Sequence, residues 1–390
     1  MTQEGAMPWK ESHTMELRMQ FVMRLKAGER MTDLCQEYGI SRKTGYKFAE
    51  RYEQRGVQGL ADASRAPKRI PHRTSAEMQA LLVQARRRHS WGGRKLRDWL
   101  ERKQPGIQLP AASTISAVLK RHGLIKSGKR RRKYPQPDRG TLRGAGAPNE
   151  VWCVDYKGQF RLGNGKYCYP LTVTDLLSRY IVAIETCEST DEEGARDVFE
   201  AAFREHGLPM AIRSDNGTPF SSQALAGLTR LSAYWLKLGI AHERIQPGHP
   251  EQNPTHERMH RTLKAATTRP AGQNALQQQE RFDHFREEFN QERPHDGLFG
   301  RTPSDLYTPS NRALPTPIPE PTYPLHDDTL VVSRSGQIKL PRHRQVFITA
   351  ALRGEPVGLR EEPDGRWLVT FVNLDLVRYC PRTGTLEPCT

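Results

Sequence analysis

The segment Ile245–Lys264, IQPGHPEQNPTHERMHRTLK, sets a loop and a helix end to end. Pro247, Gly248, Pro250 and Pro254 exclude regular structure up to Thr255. From there Met259 and Leu263 fall four apart, as one buried helical stripe requires. Glu257, Arg261 and Lys264, at i, i+4 and i+7, share another face. One carboxylate beside two cations suits a site that holds a metal while phosphates lie across it. A single carboxylate is not a metal site, so the rest of the chain has to supply partners.

Two acids stand in strand-like surroundings. Asp155 is the one acid of Val151-Trp152-Cys153-Val154-Asp155-Tyr156, and Asp215 ends Ala211-Ile212-Arg213-Ser214-Asp215 ahead of an Asn216-Gly217 turn. An ionised group in an apolar strand is costly unless it is paired or bound to metal. Taken singly, each acid reads as a cap or turn residue; three together, two at strands and one on a helix, shift the balance. The order of elements supports this. A strand over 151–160 turns at Asn164-Gly165 into a strand over 167–173, and a third strand runs 180–185. A helix near 191–206 ends at Gly207, followed by a strand at 210–214, a helix from about 221 to 238, a strand at 240–245 and the Glu257 helix. Three hairpin-linked strands followed by alternating helices and strands make a mixed α/β sheet of the ribonuclease H-like kind. Asp175 falls in the turn between the second and third strands and reads as structural.

In this order the segments Trp152-Cys153-Val154-Asp155, Leu171-Thr172-Val173-Thr174-Asp175 with Ser178-Arg179-Tyr180, Ser214-Asp215-Asn216-Gly217 and Gln252-Asn253-x-x-x-Glu257 resemble the successive signatures of a known family. It is the integrase-type transposases of bacterial insertion sequences, which share a catalytic core with retroviral integrases. The resemblance covers residues 150 to 310 and implies that Asp155, Asp215 and Glu257 form an Asp-Asp-Glu triad, both catalytic and metal-binding. Pro254 stands where the family usually has Gly, and proline is acceptable in a first helical turn. The family spacing, about 35 residues between the second Asp and the Glu, would select Glu251. Glu257 is preferred because it has the helix, the basic neighbours and the Gln-Asn offset, and the longer gap is then an insertion around Leu228 to Leu238. His256-Glu257-Arg258-Met259-His260 is also a literal H-E-x-x-H, so a zinc hydrolase is an alternative reading. Solvated histidines on a DNA-facing helix are the plainer one.

Charge names the partner. The 390 residues carry a formal net charge of +16, and residues 1 to 149 alone hold 32 Lys+Arg against 13 Asp+Glu. Nucleic acid is the default partner for such an excess. Residues 14 to 55 read as a helix-turn-helix. Leu17, Phe21 and Leu25 form a helical stripe, a short helix spans Thr32 to Tyr38, Gly39 turns, and Ser41 caps a third helix. That third helix would enter the major groove with Arg42, Lys43, Thr44 and Lys47 near bases or phosphates. Thr74-x-x-Glu77 resembles a capping box opening a helix to His89, and helices at 92–103 and 113–122 complete a second helix-turn-helix-like unit with Trp91 and Trp99 in its core. The run Lys126 to Lys133, with Arg130, Arg131 and Arg132, reads as a phosphate-tracking arm.

Residues 273 to 290 read as an amphipathic helix, 309 to 324 as a Pro-rich linker, and the tail alternates β-prone segments with turn pairs such as Ser335-Gly336 and Asp364-Gly365. The expected fold is therefore multi-domain: N-terminal all-α helix-turn-helix units at 1–60 and 74–133, a central α/β ribonuclease H-like core at 148–310, and a C-terminal small β-barrel at 325–390. The six scattered cysteines contain no C-x-x-C and read as reduced core residues. No run of about 18 apolar residues appears, so the expected setting is the bacterial cytoplasm, on DNA and away from membranes. Three converging carboxylates would hold Mg²⁺ or Mn²⁺, two ions per site. The resemblance implies that water frees a 3′-hydroxyl at an element end, that the hydroxyl then attacks target DNA, and that a dimer or tetramer of the chain pairs two ends. A DNA-binding regulator with an inactive core is the non-enzymatic alternative.

Overall fold

The computed structural model describes residues 14–62, 73–125, 142–222, 225–246, 249, 252–340 and 344–389. It divides into two compact units, Met1–Thr74 and Ser75–Thr390. In the first, α1 (Thr14–Lys26), α2 (Met31–Glu37) and α3 (Arg42–Arg55) close on Phe21, Val22, Leu34, Cys35 and Leu60. Leu17 is 37% exposed and does not join this core. Phe21 and Leu25 of the expected stripe do join it, and Met15, Met19 and Val22 complete the buried face of the helix. Gly39 makes the turn at φ 64°, and the Ser41 side chain accepts from the Thr44 amide at 3.3 Å, capping α3. Gly45 lets α3 cross α2 closely, since a Cβ there would lie 2.7 Å from the Met31 sulfur and 2.8 Å from that of Cys35.

The second unit opens with α4 (Ala76–His89), α5 (Gly93–Lys103) and α6 (Ala112–Arg121). Its cap is Ser75, whose hydroxyl accepts from the Met78 amide at 3.2 Å; the expected capping box at Thr74 is displaced by one residue. Trp91 and Trp99 are buried with Leu82, Leu96, Ile115 and Leu119, as expected of core residues. The Lys126–Lys133 arm lies outside the described residues.

The central sheet uses β1 (Val151–Tyr156), the short β2 (Phe160–Arg161), β3 (Tyr167–Asp175) and β4 (Ile181–Cys187). The single first strand expected over 151–160 is broken at Gly158, which holds φ 35°. Then come α7 (Glu192–His206), β5 (Ala211–Ser214), α8 (Arg230–Lys237), β6 (Ala241–Arg244), α9 (Pro254–Thr267) and α10 (Ala275–Glu287). The spatial order is β4-β3-β1-β5-β6, with β2 also paired to β3. β3 runs antiparallel to β1 and β4, while β1, β5 and β6 are mutually parallel. This is the mixed ribonuclease H-like arrangement expected. Both faces are covered. Trp152, Val154, Leu171 and Val173 meet Phe199 and Phe203 of α7 and Trp235 of α8 on one side. Ile181 and Ile184 meet Met259 and Leu263 of α9 and Phe282 and Phe285 of α10 on the other. The helix expected over 221–238 is confined to Arg230–Lys237, because Ala226 and Gly227 both adopt positive φ and Thr229 starts the helix anew with a Ser232 capping box.

The tail is not a closed barrel. β7 (Asp328–Val331), β10 (Pro356–Glu361), β11 (Trp367–Phe371), β12 (Leu374–Cys380) and β13 (Thr385–Pro388) form an open antiparallel sheet ordered β13-β12-β11-β10-β7. β8 (Gln337–Leu340) pairs separately with β9 (Arg344–Phe347). The apolar face of the sheet is covered by this hairpin and by Leu228 and Ala233 of the central domain, so the sheet has no need to curl onto itself. All six cysteines are free thiols. Among the described residues no helix is long and apolar enough to cross a membrane.

Candidate active site

The parallel register pairs Val151 with Ala211 and Cys153 with Arg213. Asp155 near the end of β1 and Asp215 directly after β5 therefore stand toward the carboxyl ends of two neighbouring parallel strands, the edge where open α/β sheets place ligands. Asp155 points to the α9 side, because Val154 faces the opposite core and side chains alternate along a strand. Burial raises its carboxyl to about 7, and the charges of Asp215 and Glu257 add to the effect. Asp155 is thus close enough to Asp215 and to Glu257 to feel the charge of each. Burial also raises the Asp215 carboxyl, against a 3.1 Å hydrogen bond that it accepts from the Gly217 amide. Glu257 is exposed in the first turn of α9, which begins at Pro254 in the position where proline costs no hydrogen bond. Glu251 lies outside the described residues.

Sequence reasoning misplaced the two histidines. His256 and His260 are each 1% exposed, on the face of α9 turned toward β3, and are not solvated. The signal was present: His256, Met259, His260, Leu263 and Thr267 follow i, i+3, i+4, i+7, i+11, and all five are buried. The Thr172 hydroxyl donates to the Asp155 carbonyl at 2.9 Å and lies 2.8 Å from His256 Nε2 and 2.6 Å from His260 Nε2. A hydroxyl has one proton, so both ring nitrogens must donate to it. His256 Nδ1 then accepts from the Thr174 hydroxyl at 2.8 Å. Burial keeps both rings neutral, with the Lys157 charge acting in the same direction.

The count leaves His260 Nδ1 with a lone pair, 3.5 Å from Asp155 Oδ2. Two acceptors face each other, and a proton or a cation between them removes the conflict. Asp155, His256 and His260 are the one group of three among the described residues whose ligand atoms converge. His256 has both nitrogens engaged by threonine hydroxyls, so the arrangement does not match the two-histidine zinc site that the H-E-x-x-H pattern would require. Asp175 is fully buried and accepts from the Asn149 and Ser178 amides at 2.8 and 2.7 Å, a turn-holding role.

The expected DNA contacts fall as follows. Arg42, Lys43 and Lys47 are exposed on α3, and Thr44 is half-buried with its hydroxyl 3.0 Å from that of Ser41. Tyr46, 61% exposed on the same helix, was not anticipated. Arg261 and Lys264 are exposed on α9, while Arg130, Arg131 and Arg132 lie outside the described residues.

Comparison with known proteins agrees with this architecture. The family described as Integrase core domain matches residues 145–250, and a second family of the same description matches 238–303. A Helix-turn-helix domain family matches residues 17–68, and a Homeodomain-like domain family 44–119. The uncharacterized 31.7 kDa protein of insertion element IS407 from Burkholderia multivorans is 28% identical over 238 residues, 60% of this chain and 82% of that one. The uncharacterized 39.2 kDa protein of insertion element IS476 from Xanthomonas euvesicatoria is 26% identical, over 62% of this chain and 68% of that one. The HTLV-2 integrase catalytic core domain in complex with magnesium aligns over 43% of this chain and all of that one, at 18% identity and a TM-score of 0.34. An integrase core behind helix-turn-helix units, with insertion-element proteins as relatives along most of their length, supports an insertion-sequence-type integrase or transposase.

Proposed function

We propose that the chain is a DNA transposase that binds the ends of its element and carries out metal-dependent cleavage and strand transfer, with Asp155, Asp215 and Glu257 as the catalytic, metal-holding acids. The observation that carries the reading is the effect of the Asp215 and Glu257 charges on the buried Asp155 carboxyl at one edge of the sheet. A buried carboxyl raised by two neighbouring acids suits a divalent cation, and the unshared lone pair of His260 beside Asp155 favours a positive charge in the same place. Mg²⁺ or Mn²⁺, one or two ions, would supply Lewis-acid activation of the attacking oxygen and stabilisation of the departing one. Thr172 fixes both histidines and the Asp155 backbone, holding the first acid in register. Arg261 and Lys264, exposed on the helix of Glu257, lie where a DNA backbone crossing the site would need cations.

The reaction frees a 3′-hydroxyl at the element end by water attack on a phosphodiester and then joins that hydroxyl to a target phosphodiester, releasing the target's own 3′ oxygen. Each step exchanges one P–O bond for another and needs no protein nucleophile. The boundaries we assign are 1–60 and 74–133 for end recognition, 148–310 for chemistry and 325–390 for the β tail. Arg42, Lys43, Thr44, Lys47 and the Arg130–Arg132 run contact DNA, and two or four copies act on paired ends in the bacterial cytoplasm. The test is nicking and strand joining of a supercoiled plasmid carrying the element ends, in Mg²⁺ or Mn²⁺, by wild type, Glu257→Gln and Glu251→Gln. Loss of at least a hundredfold in Glu257→Gln alone is expected, since the carboxylate acts directly on the metal. Loss in Glu251→Gln alone would move the third acid into the loop.

A further inference from the structure

A cavity of about 290 Å³ lies inside the Ser75–Thr390 unit, where α5 meets α9 and the segment after α10. Its walls are strongly basic: Lys95 of α5, Arg179 of the β3–β4 turn, Arg258 and Arg261 of α9, and Arg293. The shape is built in. Gly297 has no Cβ, and one there would collide with the Arg179 guanidinium. Counter-charge is outnumbered: Asp296 lines the space with the five cations and is 4.0 Å from Arg94, while Asp98 acts on Lys95 and Glu288 on Arg293 from outside the wall. The buried Arg293 Nε and His295 Nε2 have no hydrogen-bond partner. The Lys95 ammonium is lowered to about 8, by burial first and then by the Arg293 and Arg179 charges.

Such a cluster sets three half-buried cations, Lys95, Arg179 and Arg293, beside the exposed Arg258 and Arg261 around one space, an arrangement that an anion stabilises. The anion is a phosphate and not a whole nucleotide, because Phe289, the aromatic ring in the wall, is already engaged by His295 at 4.7 Å and by the Arg293 guanidinium at 5.6 Å. Thr255 lines the same space and its hydroxyl can donate to a phosphate oxygen, whereas the Thr262 hydroxyl already donates to the Arg258 carbonyl at 3.1 Å.

We propose that this cavity, walled by Lys95, Arg179, Arg258, Arg261 and Arg293, receives a backbone phosphate of bound DNA and so pins the strand between the α4–α6 domain and the helix of Glu257. The inference rests on the DNA-transposase reading but needs only its DNA-binding half. Residues on α5 and on α9 would then grip one phosphate together, coupling end recognition to the position of the scissile strand.

The test uses the full chain and a fixed fluorescent duplex, with anisotropy titrations across a salt series. Lys95→Gln/Arg179→Gln is compared with Arg196→Gln/Arg204→Gln, which removes the same charge from exposed positions of α7. The pocket variant should bind about tenfold more weakly near physiological salt, with a salt slope shallower by about 1, as loss of one phosphate contact requires. The α7 variant should stay within about twofold of wild type. Equal behaviour of the two variants, or a wild type that binds no duplex, overturns the inference. A melting-temperature series in inorganic phosphate separates the sources of the anion and reports folding of the variants. Stabilisation of wild type by free phosphate, with duplex affinity unchanged in the pocket variant, would assign the cavity to a free anion and also overturn the inference. A wild type that binds DNA in the pocket but never cuts it would sink the catalytic reading and leave this one standing.

Discussion

At Asp155 two requirements oppose each other. The carboxyl is buried and sits among like charges, which lifts it from the ordinary carboxylate range to about 7. Its folded value is therefore above its unfolded value, so the native state holds a proton between about pH 4 and pH 7 that the unfolded chain has released. Metal-free protein must lose stability as pH rises through that window, by up to a few kcal/mol. A divalent cation replaces the proton and reverses the sign. We therefore expect the melting temperature of metal-free wild type to fall from pH 5 to pH 8, that of Asp155→Asn to fall less, and Mg²⁺ to raise wild type more at pH 8 than at pH 6. A Mg²⁺ effect of the same size in Asp155→Asn, or one independent of pH, would place the ion elsewhere. How much of this was legible in the sequence differs residue by residue. Asp155 and Asp215 stood out because an acid in an apolar strand demands a reason. His256 and His260 did not, since a histidine is compatible with either face of a helix and only the covering sheet decides. Thr172 carried no signal of its own, because its role depends on a register between β1 and β3 and on the rotation of α9.

At the scale of elements, alternation and capping were readable where the stabilising partner is local, and misleading where it is distant. The Ser41 cap, the Gly39 turn and the hairpin ahead of β3 depend on neighbours in sequence. The tail strands were also visible as β, but closure into a barrel depends on what covers their apolar face, and α8 with the β8–β9 hairpin does so. The close crossing of α2 and α3 is another distant effect, hidden in an ordinary glycine. Gly45 has a helical backbone that alanine would adopt more readily, by about 1 kcal/mol. Its Cβ would meet two sulfur atoms below 3 Å, and a packed helix pair answers such overlap with a shift costing about 1–3 kcal/mol. Gly45→Ala should accordingly lower the stability of the first unit, read by hydrogen exchange of α3 amides, while exchange in the central sheet stays unchanged. Slower exchange in α3 would mean that propensity outweighs the overlap.

Across the whole molecule the basic excess is not spread over the two units in proportion to their reading elements. Residues 1–74 hold 14 Lys+Arg and 9 Asp+Glu, whereas residues 75–149 hold 18 and 4. The helix-turn-helix of the first unit therefore has exposed polar side chains for base edges but little net charge, and the segment before the central sheet carries most of the positive excess. Salt-dependent affinity follows the number of phosphates neutralised, while sequence preference follows groove contacts. The two properties should separate on truncation. A chain beginning at Ser75 keeps the cavity between α5 and α9 and most of the positive excess, so its affinity for random duplex should stay within about fivefold of the full chain, with a similar salt slope. Selection from a random duplex pool should enrich a shorter motif for the truncated chain than for the full one, because only one of the two helix-turn-helix units remains to read bases. An identical motif from both would mean that the first unit serves assembly and not recognition. A collapse of random-duplex affinity would show that the first unit neutralises more phosphate than its net charge allows.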